Sequence, residues 1–227
     1  MSWKSFAGIC SIILVILLAG CSVTKNFSPN EYLLINNKIK VNPRSVLPED
    51  LEPYLQQHPN TKLFGLFRTN IAFYNLGSQG KETKFKKWLR NKVGAAPVLL
   101  DTGMVSVTQK QMALYLANKG YFNSKVIDSI RYNNKKATVE YYIQVAKPYL
   151  VRNIQYSIPD TQVATFVYKD TAKCLIKRGK NYDAYLFDNE RSRVTGNLQN
   201  YGFYNFSNIY IAYRIDSNFR KNRMDIT

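Results

Sequence analysis

The sequence predicts an α+β fold made of two tandem copies of one module, β-α-α-β-β, each a small mixed sheet with two helices on one face. Three observations carry this reading. Between Thr108 and Ile143, a helical stripe is closed by a glycine and an aromatic pair and then gives way to alternation of period two. The same succession returns 82 residues later, with Gly202 in the place of Gly120. A similar strand opens each copy, Tyr32–Asn37 in the first and Tyr149–Ile154 in the second.

In the first copy, Thr108 to Gln111 has the form of a capping box, with a hydroxyl first and Gln three residues on. Met112, Tyr115 and Leu116 follow at i, i+3 and i+4, one stripe of a helix. Gly120 supplies the structural turn that ends it. After Tyr121-Phe122 comes a strand over Ser124, Val126, Asp128, Ile130 and Tyr132, then a turn at Asn133-Asn134. Ala137, Val139, Tyr141 and Ile143 return on one face. In the second copy Val194, Leu198, Asn200, Gly202 and Phe203-Tyr204 replace Met112, Leu116, Asn118, Gly120 and Tyr121-Phe122. Ser207, Ile209, Ile211 and Tyr213 then read as a strand to Asp216, with a polar turn through Ser217-Asn218 and a last strand at Met224–Thr227.

These elements divide the chain into residues 1–20, a leader; 21–30, a tether; 31–147, a first domain with an insertion at about 61–100; and 148–227, a second domain cut in its last strand. A chain that stops there reads as the N-terminal part of something longer. Within the first domain Tyr32–Val41 reads as a strand and Leu47–Gln57 as a helix, with Pro53 awkwardly placed in it. In the insertion, Phe85, Trp88 and Leu89 share a helical face ringed by cations. Such a helix can lie on an anionic membrane surface, or dock with its charges facing water; the docked arrangement is the simpler reading. In the second domain Thr161–Lys177 reads as a helix, and Asp188 as the cap of the next one.

The leader has one charge, Lys4, before an apolar run from Phe6 to Leu18 that is too short to span a bilayer comfortably. It ends Leu18-Ala19-Gly20-Cys21, which resembles the bacterial lipobox. That resemblance implies acylation of Cys21, a covalent lipid being the one attached group expected, and with Ser22 next it implies an outer-membrane address; the tether has no acidic run after Cys21, which points to the periplasmic face.

The 227 residues are 45% hydrophobic and 14% aromatic, a globular composition. The formal charge is +17, or +16 without the leader, which suggests an anionic partner such as nucleic acid, phospholipid or lipopolysaccharide. Cys174 has no partner cysteine once Cys10 and Cys21 are set aside, so no disulfide framework or zinc site is expected. His58 is the lone histidine and lies beside Pro59. No phosphate loop, metal constellation or nucleophile with a base can be assembled, so neither an enzyme nor a cofactor is expected. Tyrosines at period two are mostly sheet residues, and an exported protein meets no chromosome, which argues against nucleic acid.

The order of elements resembles the POTRA domains of the BamA/TamA outer-membrane assembly family. Asn118-Lys119-Gly120-Tyr121-Phe122 and Asn200-Tyr201-Gly202-Phe203-Tyr204 are the main markers. Tyr74-Asn75-Leu76-Gly77, Trp88-Leu89-Arg90 and Pro97–Asp101, behind a lipobox, are similar to the lipidated TamA-like branch of Bacteroidota. The resemblance covers residues 30 to 227. It implies a periplasmic arm of a protein assembly, insertion or translocation factor, with unfolded outer-membrane protein clients or envelope assembly partners. The barrel such proteins carry is not among these residues. Clients would add a strand to an exposed sheet edge, at Ser124–Tyr132 or Ser207–Asp216. A stand-alone lipoprotein that scaffolds or tethers the envelope shares every local feature.

Overall fold

The computed structural model describes residues 27–62, 68–218 and 221–227. The leader, the lipobox, Cys21 and residues 63–67 lie outside them. Among the described residues there are two three-stranded sheets, and they repeat one topology. The first consists of β1 (Leu33–Asn42), β2 (Lys125–Asn133) and β3 (Lys136–Gln144), in the order β1-β3-β2. The second consists of β4 (Leu150–Ile154), β5 (Ile215–Asn218) and β6 (Arg223–Ile226), in the order β4-β6-β5. In each, the strand that comes third in the chain lies between the first two. β4 runs parallel to β6, which is antiparallel to β5, so this sheet is mixed, as expected.

The helices are α1 (Thr69–Ser78), α2 (Lys84–Trp88), α3 (Thr102–Asn118), α4 (Thr161–Lys169) and α5 (Ala184–Asn200). Compactness divides the chain into a unit of residues up to Ile39 with Leu55–Val107 and Asp128–Tyr141, and a unit of Lys40–Tyr54 with Thr108–Ile127 and Tyr142–Thr227. This division cuts through β1 and the β2–β3 hairpin, whereas the sequence division falls at 147–148.

The expected closing turns are present in both copies, and their hydrogen bonds correspond one for one. At the end of α3, Tyr121 N–H donates to Leu116 C=O (2.8 Å) and Gly120 N–H to Ala117 C=O (2.9 Å). At the end of α5, Phe203 N–H donates to Leu198 C=O (3.1 Å) and Gly202 N–H to Gln199 C=O (3.0 Å). Both are Schellman closures, with glycine left-handed at φ 87° and 97°. The following aromatic then packs back. Tyr121 is buried, its hydroxyl 3.4 Å from Ser45 C=O, and Phe203 meets the ring of Phe166 at 5.7 Å.

Several helix starts differ from the sequence reading, each for a local reason. α3 begins at Thr102, not Thr108, because the Asp101 carboxylate accepts from the N–H groups of Gly103 (2.7 Å) and Met104 (3.3 Å). Thr108 is buried inside the helix. α5 is capped by Asp183, which accepts from Tyr185 N–H (3.1 Å); Asp188 lies within the helix and pairs with Arg191 at 2.6 Å. The helix expected over Leu47–Gln57 is two 3₁₀ turns, Pro48–Asp50 and Glu52–Tyr54. Pro53 lacks the N–H that an α-helical ladder would need there. Between them lies Leu51, whose side chain has no exposure. The helix expected to reach Lys177 stops at Lys169 and becomes a 3₁₀ turn at Thr171–Lys173.

β3 is the most buried strand, with Ala137, Val139, Tyr141 and Ile143 inside. In the second copy Val151, Cys174, Ile176, Phe187 and Ile226 form a core cluster. Cys174 is thus a small buried hydrophobe.

The two glycines separate conformational strain from crowding. Nothing stands within 4 Å of a Cβ placed on Gly202, whereas one on Gly120 meets Tyr182 C=O at 2.9 Å. Gly202→Ala is expected to destabilise by about 1–2 kcal/mol, the cost of a left-handed L-residue. Gly120→Ala should cost clearly more, as read by denaturant titration of the two variants side by side.

Candidate functional site: the open edge of the first sheet

β2 stands at an edge of its sheet, and among the described residues no strand pairs with its outer side. The hairpin turn fixes which backbone groups face that side. Asn134 and Lys135 are left-handed, at φ 43° and 60°, the form of a two-residue type I′ turn. Asn133 and Lys136 therefore face each other as a hydrogen-bonded pair. Counting back by twos, Arg131, Ser129 and Ile127 turn their N–H and C=O groups to β3. The backbone groups of Tyr132, Ile130, Asp128 and Val126 turn outward. These are the residues the sequence singled out. The carbonyl of Val126 already accepts from Gln109 Nε2 at 2.7 Å, and the Ser124 hydroxyl accepts from Ala146 N–H at 3.0 Å. The start of the strand is thus tied down, and the stretch from Asp128 to Tyr132 is left for pairing.

Side chains grade along this strand from buried to exposed. Val126 is buried, Asp128 and Ile130 are half-buried, and Tyr132 is exposed but rests on Tyr32, ring centroids 4.5 Å apart. The opposite face carries a charge ladder. Glu140 of β3 is buried between Arg131 of β2 (3.2 Å) and Lys38 of β1 (3.6 Å). Two flanking cations offset the desolvation of this one carboxylate. Neither Glu140 nor Gln109 stood out in the sequence, because their roles depend on which strand becomes central. The other edge, β1, is covered where it begins: Leu34 N–H donates to Val98 C=O (2.9 Å) and Leu100 N–H to Tyr32 C=O (2.8 Å).

The second expected edge is realised only in part. Ser207, Ile209, Ile211 and Tyr213 are not in a strand. A 3₁₀ turn occupies Asn208–Tyr210, with Ser207 C=O accepting from Tyr210 N–H (3.1 Å). The carbonyl of Ile211 is taken by Arg191 Nε at 3.0 Å, and the Tyr213 ring packs edge-on against Phe187 at 4.8 Å. The edge strand itself, β5, is four residues long and includes Ser217 and Asn218, where the sequence suggests a turn. At the opposite edge, β4 is covered by Gly179–Tyr182 through Gly179 N–H to Val151 C=O (2.7 Å) and Val151 N–H to Lys180 C=O (2.9 Å).

Ionisable groups gather most densely in the second copy, around Arg193. Its guanidinium meets both oxygens of buried Glu190 (2.7 and 2.9 Å) and also Asp170, which Lys173 approaches to 3.0 Å. Burial pushes the Glu190 carboxyl up, but Arg193 and the N–H of Leu175 (3.0 Å) together outweigh it and hold the group below the usual carboxylate range. Every member is matched by an opposite charge or an N–H, the arrangement of a structural clamp joining α5 to the segment after α4. A largely apolar slot of about 990 Å³ lies beside it, between Gln155–Pro159 and Tyr210–Arg214. His58 is an exposed loop residue. Among the described residues no group of three His, Cys, Asp or Glu could hold a metal ion, and no helix is long and apolar enough to cross a membrane.

The Arg193 clamp has a pH signature. A carboxyl whose folded pKa is lowered contributes stability in full above its unfolded value of about 4.3, and loses it as pH falls through the folded value. Glu190→Gln should lower stability by about 2 kcal/mol at neutral pH, and the loss should shrink on acidification, as followed by urea midpoints across the acid range.

No family model matches the chain, and no curated protein matches it. Solved structures similar to it include BamA from Haemophilus ducreyi lacking POTRA domains 1–3, with 16% identity, covering 65% of this chain and 27% of that one at a TM-score of 0.33. POTRA domains 3–5 of BamA from Haemophilus influenzae are 12% identical over 88% of this chain and 97% of theirs, at a TM-score of 0.31. POTRA domains 1 and 2 of the periplasmic domain of Omp85 from Anabaena are 14% identical over 86% of this chain and 93% of theirs, at a TM-score of 0.35.

Proposed function

We propose that this chain is the periplasmic POTRA arm of an outer-membrane protein assembly or translocation factor, taking extended client or partner chains onto β2 by strand addition. The observation that carries the proposal is the open stretch Asp128–Tyr132, whose outward N–H and C=O groups are set by the hairpin parity. Strand addition draws its affinity from main-chain bonds and only weak preference from side chains, which suits clients of many sequences. Half-buried Ile130 and exposed Ile127 would give an added strand apolar contacts on either face. Cys21, acylated, would hold the arm to the outer membrane through the polar tether Ser22–Asn30.

Proline is a selective probe here, because it removes one N–H. At Asp128 or Ile130 that N–H faces outward, so Asp128→Pro and Ile130→Pro delete a docking bond while sparing the β2–β3 ladder. With a photocrosslinker at Ile127, both variants should lose at least about tenfold of the crosslinking to unfolded outer-membrane clients, one lost bond plus local distortion being worth about 1.5 kcal/mol. Unchanged crosslinking in folded variants would remove β2 from the proposal.

A further inference from the structure

The insertion carries a feature that strand addition does not use. α2 ends in a turn at Leu89–Val93, and Leu89 is buried, so this part of the helix docks as the sequence suggested. Contact with α1 is close: a Cβ on Gly77 would stand 2.7 Å from Lys86 C=O. Phe85 and Trp88 do not share in this docking. They are 66% and 52% exposed, and their rings stack on each other at 5.9 Å. Two large, largely exposed aromatic side chains stacked on each other, at i and i+3, form a small apolar knob.

Cations flank the knob in sequence. Residues 69–100 contain six, Lys81, Lys84, Lys86, Lys87, Arg90 and Lys92, against one acid, Glu82, which is engaged by Arg90 at 2.8 Å. Lys86 is held by Gln79 C=O (2.8 Å), while Lys81, Lys84, Lys87 and Lys92 are exposed. An exposed aromatic pair flanked in sequence by exposed lysines matches the interfacial zone of an anionic bilayer, where Trp and Phe enter the headgroup boundary and Lys meets phosphate.

Position in the unit agrees. Val98–Leu100, at the exit of the insertion, pairs with the first residues of β1, and Lys135 Nζ meets Ser28 C=O at 2.6 Å. The insertion therefore returns beside the first described residues of the chain. Tyr32 is only 11 residues on from Cys21, a reach of at most about 40 Å when extended.

We propose that Phe85 and Trp88 insert into the surface of an anionic lipid leaflet, with Lys84 and Lys87 on lipid phosphates, so that the first unit meets the membrane directly. The tether argument rests on acylation of Cys21; the contact itself is read from α2 alone. The test uses the full chain carrying Trp3→Phe, which leaves Trp88 as the single tryptophan. It is mixed with phosphatidylcholine vesicles with or without phosphatidylglycerol, and with acyl-chain-brominated lipid. Trp88 emission should shift blue and be quenched by bromine only when phosphatidylglycerol is present. Lys84→Gln with Lys87→Gln should lower the ratio of inserted to aqueous Trp88 by about 30-fold. If Trp88 emission stays as in buffer, whether or not the chain floats with the vesicles, the proposal is overturned, and a protein partner for the knob takes its place. Quenching that is equal without phosphatidylglycerol overturns the role of the lysines. Intact mass reports acylation of Cys21 separately, so failure of the anchor and failure of the contact are told apart.

Discussion

Everything downstream of α3 and α5 depends on how those helices stop. A helix leaves carbonyls without partners at its end, and here the strand must begin within a few residues and run back over the same core. One left-handed residue solves both problems, since it lets the next two N–H groups bond to the last turn while the chain reverses. Gly120 and Gly202 make the same pair of bonds at the same offsets. The aromatic that follows then anchors the reversal, Tyr121 by burial and Phe203 against Phe166. Without this closure the hairpin would leave the helix at another angle, and its inward face would miss the core.

Sheet order turns that local event into an open edge. Because the last strand of each copy inserts between the first two, the second strand is an edge by topology. The two copies then differ in how much of that edge remains. In the first, nine residues of β2 extend along β3. In the second, a 3₁₀ turn and the bond from Arg191 to Ile211 occupy the corresponding segment, leaving the four residues of β5. A strand that is already bonded to side chains cannot also template a client. On the proposed function, the copies therefore share a fold and divide in use.

Much of this was legible because the relevant signals are local and periodic. Glycine at a helix end, an aromatic pair and strict alternation all act within a few residues, and they located α3, β2, β3 and both closing turns. What the chain order hid was competition. Asp101 prevails over Thr108 as a cap because it lies where its carboxylate reaches two free N–H groups, and the weakly helical Thr102–Val107 gave no stripe to announce it. Asp183 displaces Asp188 in the same way. Ile209, Ile211 and Tyr213 alternate like a strand, but side chains distant in sequence take their backbone and ring contacts. Trp88 is the inverse case, since its helical spacing suggests docking and only the fold reveals that Leu89 alone goes inside.

The central claim is that the outer side of β2 takes an extended chain in register. The direct measurement is nuclear magnetic resonance of isotope-labelled protein with an unlabelled peptide of alternating apolar and polar residues. Interstrand contacts from the amides of Asp128 and Ile130 to the peptide backbone, with Ser129 and Arg131 still bonded to β3, are the predicted result. Binding that leaves those two amides unchanged, or appears at the slot of the second copy instead, would contradict the account.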